Sequence, residues 1–121
     1  MAQADLSPAT NSPDLPTLQV LYLPVVRDAK GDYIPESRLS DLKRDCVIND
    51  IAAGTWDAGV IRVIGHCQST GKVFDASVEI AAAALYQAVD RCGWNIPRSC
   101  REFCETFLGV NAVQSVVRAA A

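Results

Sequence analysis

The sequence predicts an α+β fold in which a small sheet of about three strands packs on one side against about three helices. Three observations predict it: an apolar run of strand length at residues 18–26, a strand–turn–strand–helix pattern at residues 60–92, and two amphipathic stretches at residues 35–53 and 97–108. Alternate side chains of a strand point to opposite faces, whereas side chains on one face of a helix recur every three or four residues. The two periods therefore distinguish the strands from the helices.

The pattern at residues 60–92 is the clearest structural signal in the chain. Side chains alternate over residues 60–68, a turn with a glycine follows, and residues 72–76 return as a shorter strand, so we expect a hairpin. A long helix is expected next, with Asp75 and Ser77 as N-cap candidates and Gly93 just past its end. Its expected apolar stripe is Val78, Ala81, Ala82, Leu85, Val89 and Cys92.

The first strand and first helix are predicted before this unit. Pro24 lies within the strand at residues 18–26, and proline cannot donate to a sheet ladder, so the strand is expected at a sheet edge or to end at a bend. Residues 27–32 predict a charged loop, and residues 35–53 predict a helix with Leu39 on its apolar side. After the helix at residues 97–108, a last amphipathic turn or two is expected.

Composition limits the class of protein. With 121 residues, half of them hydrophobic and 21% charged, the chain resembles an ordinary globular protein, and we expect one domain at residues 18–121 after a flexible, proline-containing tail at residues 1–17. The net charge of −3 disfavours a generally basic nucleic-acid binder. No apolar run is long enough for a membrane span, and the first residues lack the features of a secretory signal. We therefore expect a cytoplasmic protein with reduced cysteines and no membrane partner.

The five cysteines and the single histidine raise the question of a metal site. Cys100 and Cys104 lie one helical turn apart, Cys92 precedes them, and His66 or Cys67 could supply a fourth ligand. The chain contains no CxxC pair, however, and every cysteine completes an apolar helix stripe or an inner strand face: Cys46, Cys67, Cys92, Cys100 and Cys104. The pattern favours cysteines that fill the core and no cofactor, and a metal-binding protein is the first alternative.

No motif predicts catalysis. His66 and Cys67 are adjacent on a predicted strand, so their side chains point to opposite faces and cannot act as a catalytic pair. The sequence also lacks a nucleophile elbow, a phosphate loop and a dinucleotide fingerprint. We therefore expect a protein that is not an enzyme, with His66 and Arg62 on the more polar outer face of the sheet.

A DNA-binding regulator is the second alternative, because residues 78–108 have the outline of a helix-turn-helix unit. Arg98 and Arg101 lie on the outward face of its second helix, where they could meet phosphates. Glu102 and Glu105 follow them at a spacing of four residues, which predicts two ion pairs within the helix. These carboxylates would repel a phosphate backbone, so nucleic acid is disfavoured as a partner.

The sequence favours a small intracellular, non-enzymatic protein-binding module, such as an adaptor or an inhibitor of a larger assembly. Its protein partner is unknown, and a homodimer is possible, since the strands at residues 18–26 and 72–76 could accept a strand from another chain. Trp56 and Trp94 lie in predicted loops, where they could be interface anchors or lids on the core. The candidate interaction residues are Trp56, Trp94, Arg62, His66, Arg98 and Arg101.

Overall fold

A computed structural model describes residues 19–120, and the flexible tail predicted at residues 1–17 lies outside the described residues. Within the described range the fold is α+β, with a four-stranded antiparallel sheet and four α-helices. The predicted class is confirmed, whereas the predicted counts of about three strands and about three helices are each one too low.

The sheet has the spatial order β2-β1-β3-β4, with β1 (Val20–Asp28), β2 (Gly31–Tyr33), β3 (Val60–Cys67) and β4 (Val73–Asp75). Every neighbouring pair of strands is antiparallel. The helices are α1 (Arg44–Ala52), α2 (Ser77–Cys92), α3 (Arg98–Leu108) and α4 (Val110–Ala119), and a short 3-10 turn precedes α1 at Leu39–Leu42. None of the described helices is long and apolar enough to cross a membrane.

The fourth strand, β2, occupies part of the segment that was predicted to be a charged loop. Arg27 pairs with Asp32 across the two strands, and the Nε and Oδ1 atoms of the two side chains lie 2.7 Å apart. All three residues of β2 are exposed, so no alternation of buried and exposed side chains marks it in the sequence. The pair of opposite charges across β1 and β2 stabilises this strand instead.

The helix predicted at residues 35–53 is shorter than expected. Lys43 has an extended backbone, with ψ near 150°, and it separates the 3-10 turn from α1. Leu39 was expected on the apolar side of this helix, but it lies in the 3-10 turn and is 64% exposed. Hydrophobic spacing alone does not show where a 3-10 turn replaces the α-helix.

The last turns of the chain form a complete helix, α4, rather than the turn or two predicted. Gly109 adopts a φ of 93°, which interrupts the helical conformation between α3 and α4. Val113 and Val117 of α4 are buried in the core. Burial of this short apolar stripe stabilises α4 against the rest of the fold.

Helix α1 contacts β1, helices α2 and α3 contact β3, and α4 packs against α2 and α3. A single core joins Val26 and Val63 of the sheet to residues of all four helices, among them Val47, Ile80, Leu85, Phe103 and Val113. Three alanines of α2 are fully buried in this core, Ala81, Ala84 and Ala88. Their small side chains let neighbouring elements approach α2 closely.

Pro24 is accommodated because β1 has only β3 as a neighbouring strand at that position. The pairing of β2 with β1 is confined to Val26–Asp28. Val63 lies opposite Pro24 and directs both its N–H and its C=O away from it, toward Ser77 and Ala76. The missing N–H of Pro24 therefore falls on the side away from β3 and costs no ladder hydrogen bond.

Candidate interaction surface

Helix α2 exposes apolar side chains on its outward side, and part of this side was predicted to be buried. Val78 was expected in the buried stripe of this helix, but it is 58% exposed, and Tyr86 is 65% exposed. The two residues lie eight positions apart, with the half-buried Ala82 midway between them. Residues four positions apart are neighbours on a helix surface, so the three side chains follow one side of α2.

An apolar groove of about 390 Å³ lies between α2 and α4. Its lining residues are Tyr86, Val89, Ser115, Val116, Ala119 and Ala120. Tyr86 contributes an exposed ring with a hydroxyl group, and the α4 side of the groove is made of small side chains. Such a groove suits apolar side chains of a partner, with the tyrosine hydroxyl free for a hydrogen bond.

A second, acidic groove of about 430 Å³ lies on the other side of α2, against α1 and the 3-10 turn. Its lining residues are Asp41, Asp45, Cys46, Asn49, Asp50 and Gln87. Gln87 donates a hydrogen bond from Nε2 to Oδ1 of Asn49 at 3.0 Å. Among the described residues, none of the three aspartates forms an ion pair. Burial, and then repulsion by Asp41, raise the pKa of Asp50 above its usual value.

The two tryptophans differ in environment. Trp56 is half-buried and packs against the core, as a lid does. Trp94 follows the last residue of α2 by two positions and is 64% exposed. Tryptophan is usually largely buried, so an exposed indole ring beside a helix end is a candidate anchor for a partner.

Arg62 and His66 lie on the sheet face opposite the helices. Val63 belongs to the core, and side chains alternate along β3, so Arg62 is directed away from the helices and is exposed. His66 is half-buried on the same outer face and pairs across the sheet with Leu21 and Val73. Arg62 and His66 therefore share the outer face of the sheet, and they do not share a surface with the grooves beside α2.

Arg98 and Arg101 of α3 behave differently from each other. The Nε of Arg98 lies 3.2 Å from Oε2 of Glu102, as the spacing predicted. The second predicted pair, between Arg101 and Glu105, is not formed within the part of the chain that the structure describes. Arg98 and Glu102 also line a groove that includes Asp57, which adds a second carboxylate to a surface that a phosphate would have to approach.

The cysteines divide into three environments rather than one. Cys100 and Cys104 are fully buried, with their sulfurs 3.9 Å apart, and the Cys104 thiol donates to the carbonyl oxygen of Ala81 at 3.4 Å. Cys46 is half-buried, and Cys92 is exposed. The expectation that Cys92 completes the buried stripe of α2 is wrong, because the last turn of this helix extends beyond the core.

The candidate metal ligands are not assembled into a site. Within residues 19–120, no group of three or more histidine, cysteine, aspartate or glutamate side chains is placed to hold a metal ion. Cys100 and Cys104 come together in the core, whereas Cys92 is exposed and His66 lies on the outer face of the sheet.

Cys67 has an unusual environment that the sequence did not predict. It is half-buried at the end of β3, and its sulfur lies 3.3 Å from the Ser69 hydroxyl oxygen. Hydrogen bonds from Ser69 and then from Thr70 lower the pKa of the Cys67 thiol to about 7. Reactive thiols usually lie in a positively charged setting, whereas here uncharged donors of the hairpin turn stabilise the thiolate.

Comparisons with known protein families, with curated proteins and with solved structures find no significant match for this chain. Function is therefore inferred from the surfaces described above.

Proposed function

We propose that this chain is a small, non-enzymatic protein-binding module, an adaptor or an inhibitor of a larger assembly, that works in the cytoplasm. The apolar groove between α2 and α4 supports this best. It has an exposed tyrosine, Tyr86, on its rim and apolar side chains along its length. Aromatic residues surrounded by apolar contacts are typical of the centre of protein–protein interfaces.

The groove is a better candidate than the edge strand β4 for this binding. β4 is the outer strand next to β3, and its three residues are exposed. A strand of three residues offers few backbone hydrogen bonds to a partner, and short edge strands are a common protection against such pairing. We therefore assign the partner to the groove rather than to strand addition at β4.

Light-activated crosslinking tests the proposal. A photoreactive phenylalanine derivative is introduced in place of Tyr86, and, as a matched control, in place of Tyr33, an exposed tyrosine on β2. We expect position 86 to give a discrete adduct with a second protein in a lysate of the source cells, and position 33 to give none. The same adduct from both positions, or no adduct from position 86, would contradict the proposal, as would turnover of a substrate by the purified protein.

A further inference from the structure

We propose that the groove between α2 and α4 binds a basic amphipathic helix of the partner protein. Its apolar side chains occupy this groove, and lysines or arginines along the edge of the partner helix that lies over α2 face the acidic groove. The inference rests on the proposed protein-binding function and adds the chemistry of the partner to it.

The arrangement of α2 places the two grooves side by side. Tyr86 and Val89 line the apolar groove toward α4, whereas Gln87 lines the acidic groove toward α1. The exposed Asp90 follows Tyr86 by one turn and adds a further carboxylate to the outward side of the helix. A partner that lies along α2 therefore meets an apolar surface on one flank and a negative one on the other.

A helix fits this surface better than an extended segment. The outward apolar side chains of α2, Val78, Ala82 and Tyr86, recur at four-residue spacing along a helix of 16 residues, which is about 24 Å long. A groove between two helices can accept the side-chain ridges of a third helix. The backbone groups of α2 and α4 are occupied within the helices, so they offer no ladder to a strand.

The charges favour a basic partner. Asp41, Asp45 and Asp50 have no cationic partner among the described residues, and Arg44, the first residue of α1, is held by Glu79 with Nε and Oε2 3.2 Å apart. A lysine or arginine of the partner would relieve the repulsion between these carboxylates. Burial, and then repulsion by Asp41, raise the pKa of Asp50, and the repulsive part is consistent with this arrangement.

The same charges argue against a second copy of the chain as the occupant. A two-fold interface brings the same patch of both copies together, so each surface must be complementary to itself. Here Asp90 of α2 and the acidic groove with Asp45 of α1 would face an equally acidic surface when the two-fold axis crosses α2. Like charges placed opposite each other oppose association and act as a specificity device against that pairing.

The probe for this inference is a synthetic helix of about five turns, with leucines on one face and lysines along both edges of that face. A second peptide has glutamates in place of the lysines, and a third has the leucine and lysine order scrambled. Binding to the full chain is followed by calorimetry and by amide chemical shifts at low and high salt. We expect the leucine–lysine helix to bind, with the largest shifts at Tyr86, Val89 and Val116, and the other two peptides to bind at least about tenfold more weakly.

Substitutions in the apolar groove and in the acidic groove test the two contributions to binding separately. Tyr86→Ala is expected to weaken binding of the leucine–lysine helix about tenfold or more, because it removes the aromatic anchor. The double variant Asp45→Asn, Asp50→Asn is expected to weaken it several-fold and to reduce its dependence on salt. Asp57→Asn, an exposed carboxylate in a different groove, serves as the control and should leave the affinity unchanged.

Equal binding of the leucine–glutamate helix, shifts confined to another surface, or an equal effect of Asp57→Asn would overturn the inference. A dimer in sedimentation that Tyr86→Ala dissociates would overturn it in favour of a second copy. If crosslinking from position 86 captures a partner and the leucine–lysine helix does not bind, the partner chemistry is wrong while the proposed function stands. If neither is observed, both are wrong.

Discussion

The hydroxyl of Ser77 accepts a hydrogen bond from the backbone N–H of Val63 at 2.9 Å, in the interior of the protein. The carbonyl oxygen of Val63 accepts the N–H of Ala76 at 2.9 Å. β4 ends one residue earlier, at Asp75, so no ladder partner remains for the N–H of Val63 on that side. The first side chain of α2 takes the place of the missing partner and fixes the helix to β3.

Substitution Ser77→Ala is expected to destabilise the protein by about 1–3 kcal/mol, because it leaves a buried N–H of β3 unsatisfied. Ser77 is completely buried, so water cannot replace the hydroxyl without opening the core. Urea unfolding followed by circular dichroism measures the change. Ser40→Ala, in the exposed 3-10 turn, is the matched control and should change the free energy of unfolding by less than about 0.5 kcal/mol. Equal effects of the two substitutions would show that the hydrogen bond does not stabilise the fold.

The same residue shows how far the sequence predicts structure. The spacing of hydrophobic residues predicted the positions of β3, the hairpin and α2 correctly. The residue types Asp75 and Ser77 indicated the start of the helix. Asp75 does accept the N–H of Ser77 at 2.8 Å, but the Ser77 hydroxyl bonds to a residue 14 positions earlier instead of capping its own helix. Local propensity cannot distinguish these two uses of a serine, because the competing donor comes from tertiary structure.

A glycine and an aromatic ring are matched across β3 and β4. Gly65 lies opposite Phe74, and a Cβ added at Gly65 would come within 2.6 Å of three atoms of the Phe74 ring. The ring also packs edge-on against Tyr22, with the ring centroids 6.5 Å apart. Gly65→Ala is therefore expected to displace Phe74 and to destabilise the fold by about 1–3 kcal/mol.

A double-mutant cycle checks that the loss comes from the ring. In a Phe74→Ala background, the cost of Gly65→Ala should fall to within about 0.5 kcal/mol of zero, since the added methyl group then meets no ring. Unfolding in urea of the wild type, the two single variants and the double variant provides the four free energies. Additive effects would mean that Gly65 is required for its backbone conformation and not for the approach of Phe74.

Cys67 is expected to react with iodoacetamide at neutral pH. Since its thiol pKa lies at about 7, the alkylation rate should reach half its maximum near that pH. The largest cause of the shift is the hydrogen bond from Ser69, so Ser69→Ala should move the midpoint toward the ordinary value of about 8.5. Mass spectrometry of peptides follows Cys67 separately from the exposed Cys92. An unchanged midpoint in Ser69→Ala would contradict this account.

The lowered pKa also determines the sign of a stability change. Folding favours the thiolate of Cys67, so this group adds stability above the pKa of the unfolded thiol and loses that contribution as the pH falls through about 7. Stability should therefore rise between pH 7 and about 8.5 in the wild type relative to Cys67→Ser. A decrease over that range relative to Cys67→Ser would show that folding favours the neutral thiol.

The interaction surface was harder to predict than the fold. The sequence placed Val78 and Val89 on one buried stripe, yet the first is exposed and the second lines a groove. The groove exists because α4 is a full helix beside α2, whereas the sequence predicted only a turn or two there. Tyr86 carried no signal of its own, because an exposed aromatic residue and a buried one look alike in a sequence until the neighbouring helix is placed.

The buried pair Cys100 and Cys104 gives a last prediction about the cysteines. Both thiols are inaccessible, and the hydrogen bond with Cys100, and then burial, raise the pKa of Cys104. We expect a thiol-specific disulfide reagent to leave both unmodified in the native protein and to modify both in urea, while the exposed Cys92 reacts in both conditions. The native mass of the reduced protein, purified without chelator, should equal that of the bare chain. A zinc adduct lost in Cys100→Ser, or rapid native modification of Cys104, would show instead that this pair opens to bind a ligand.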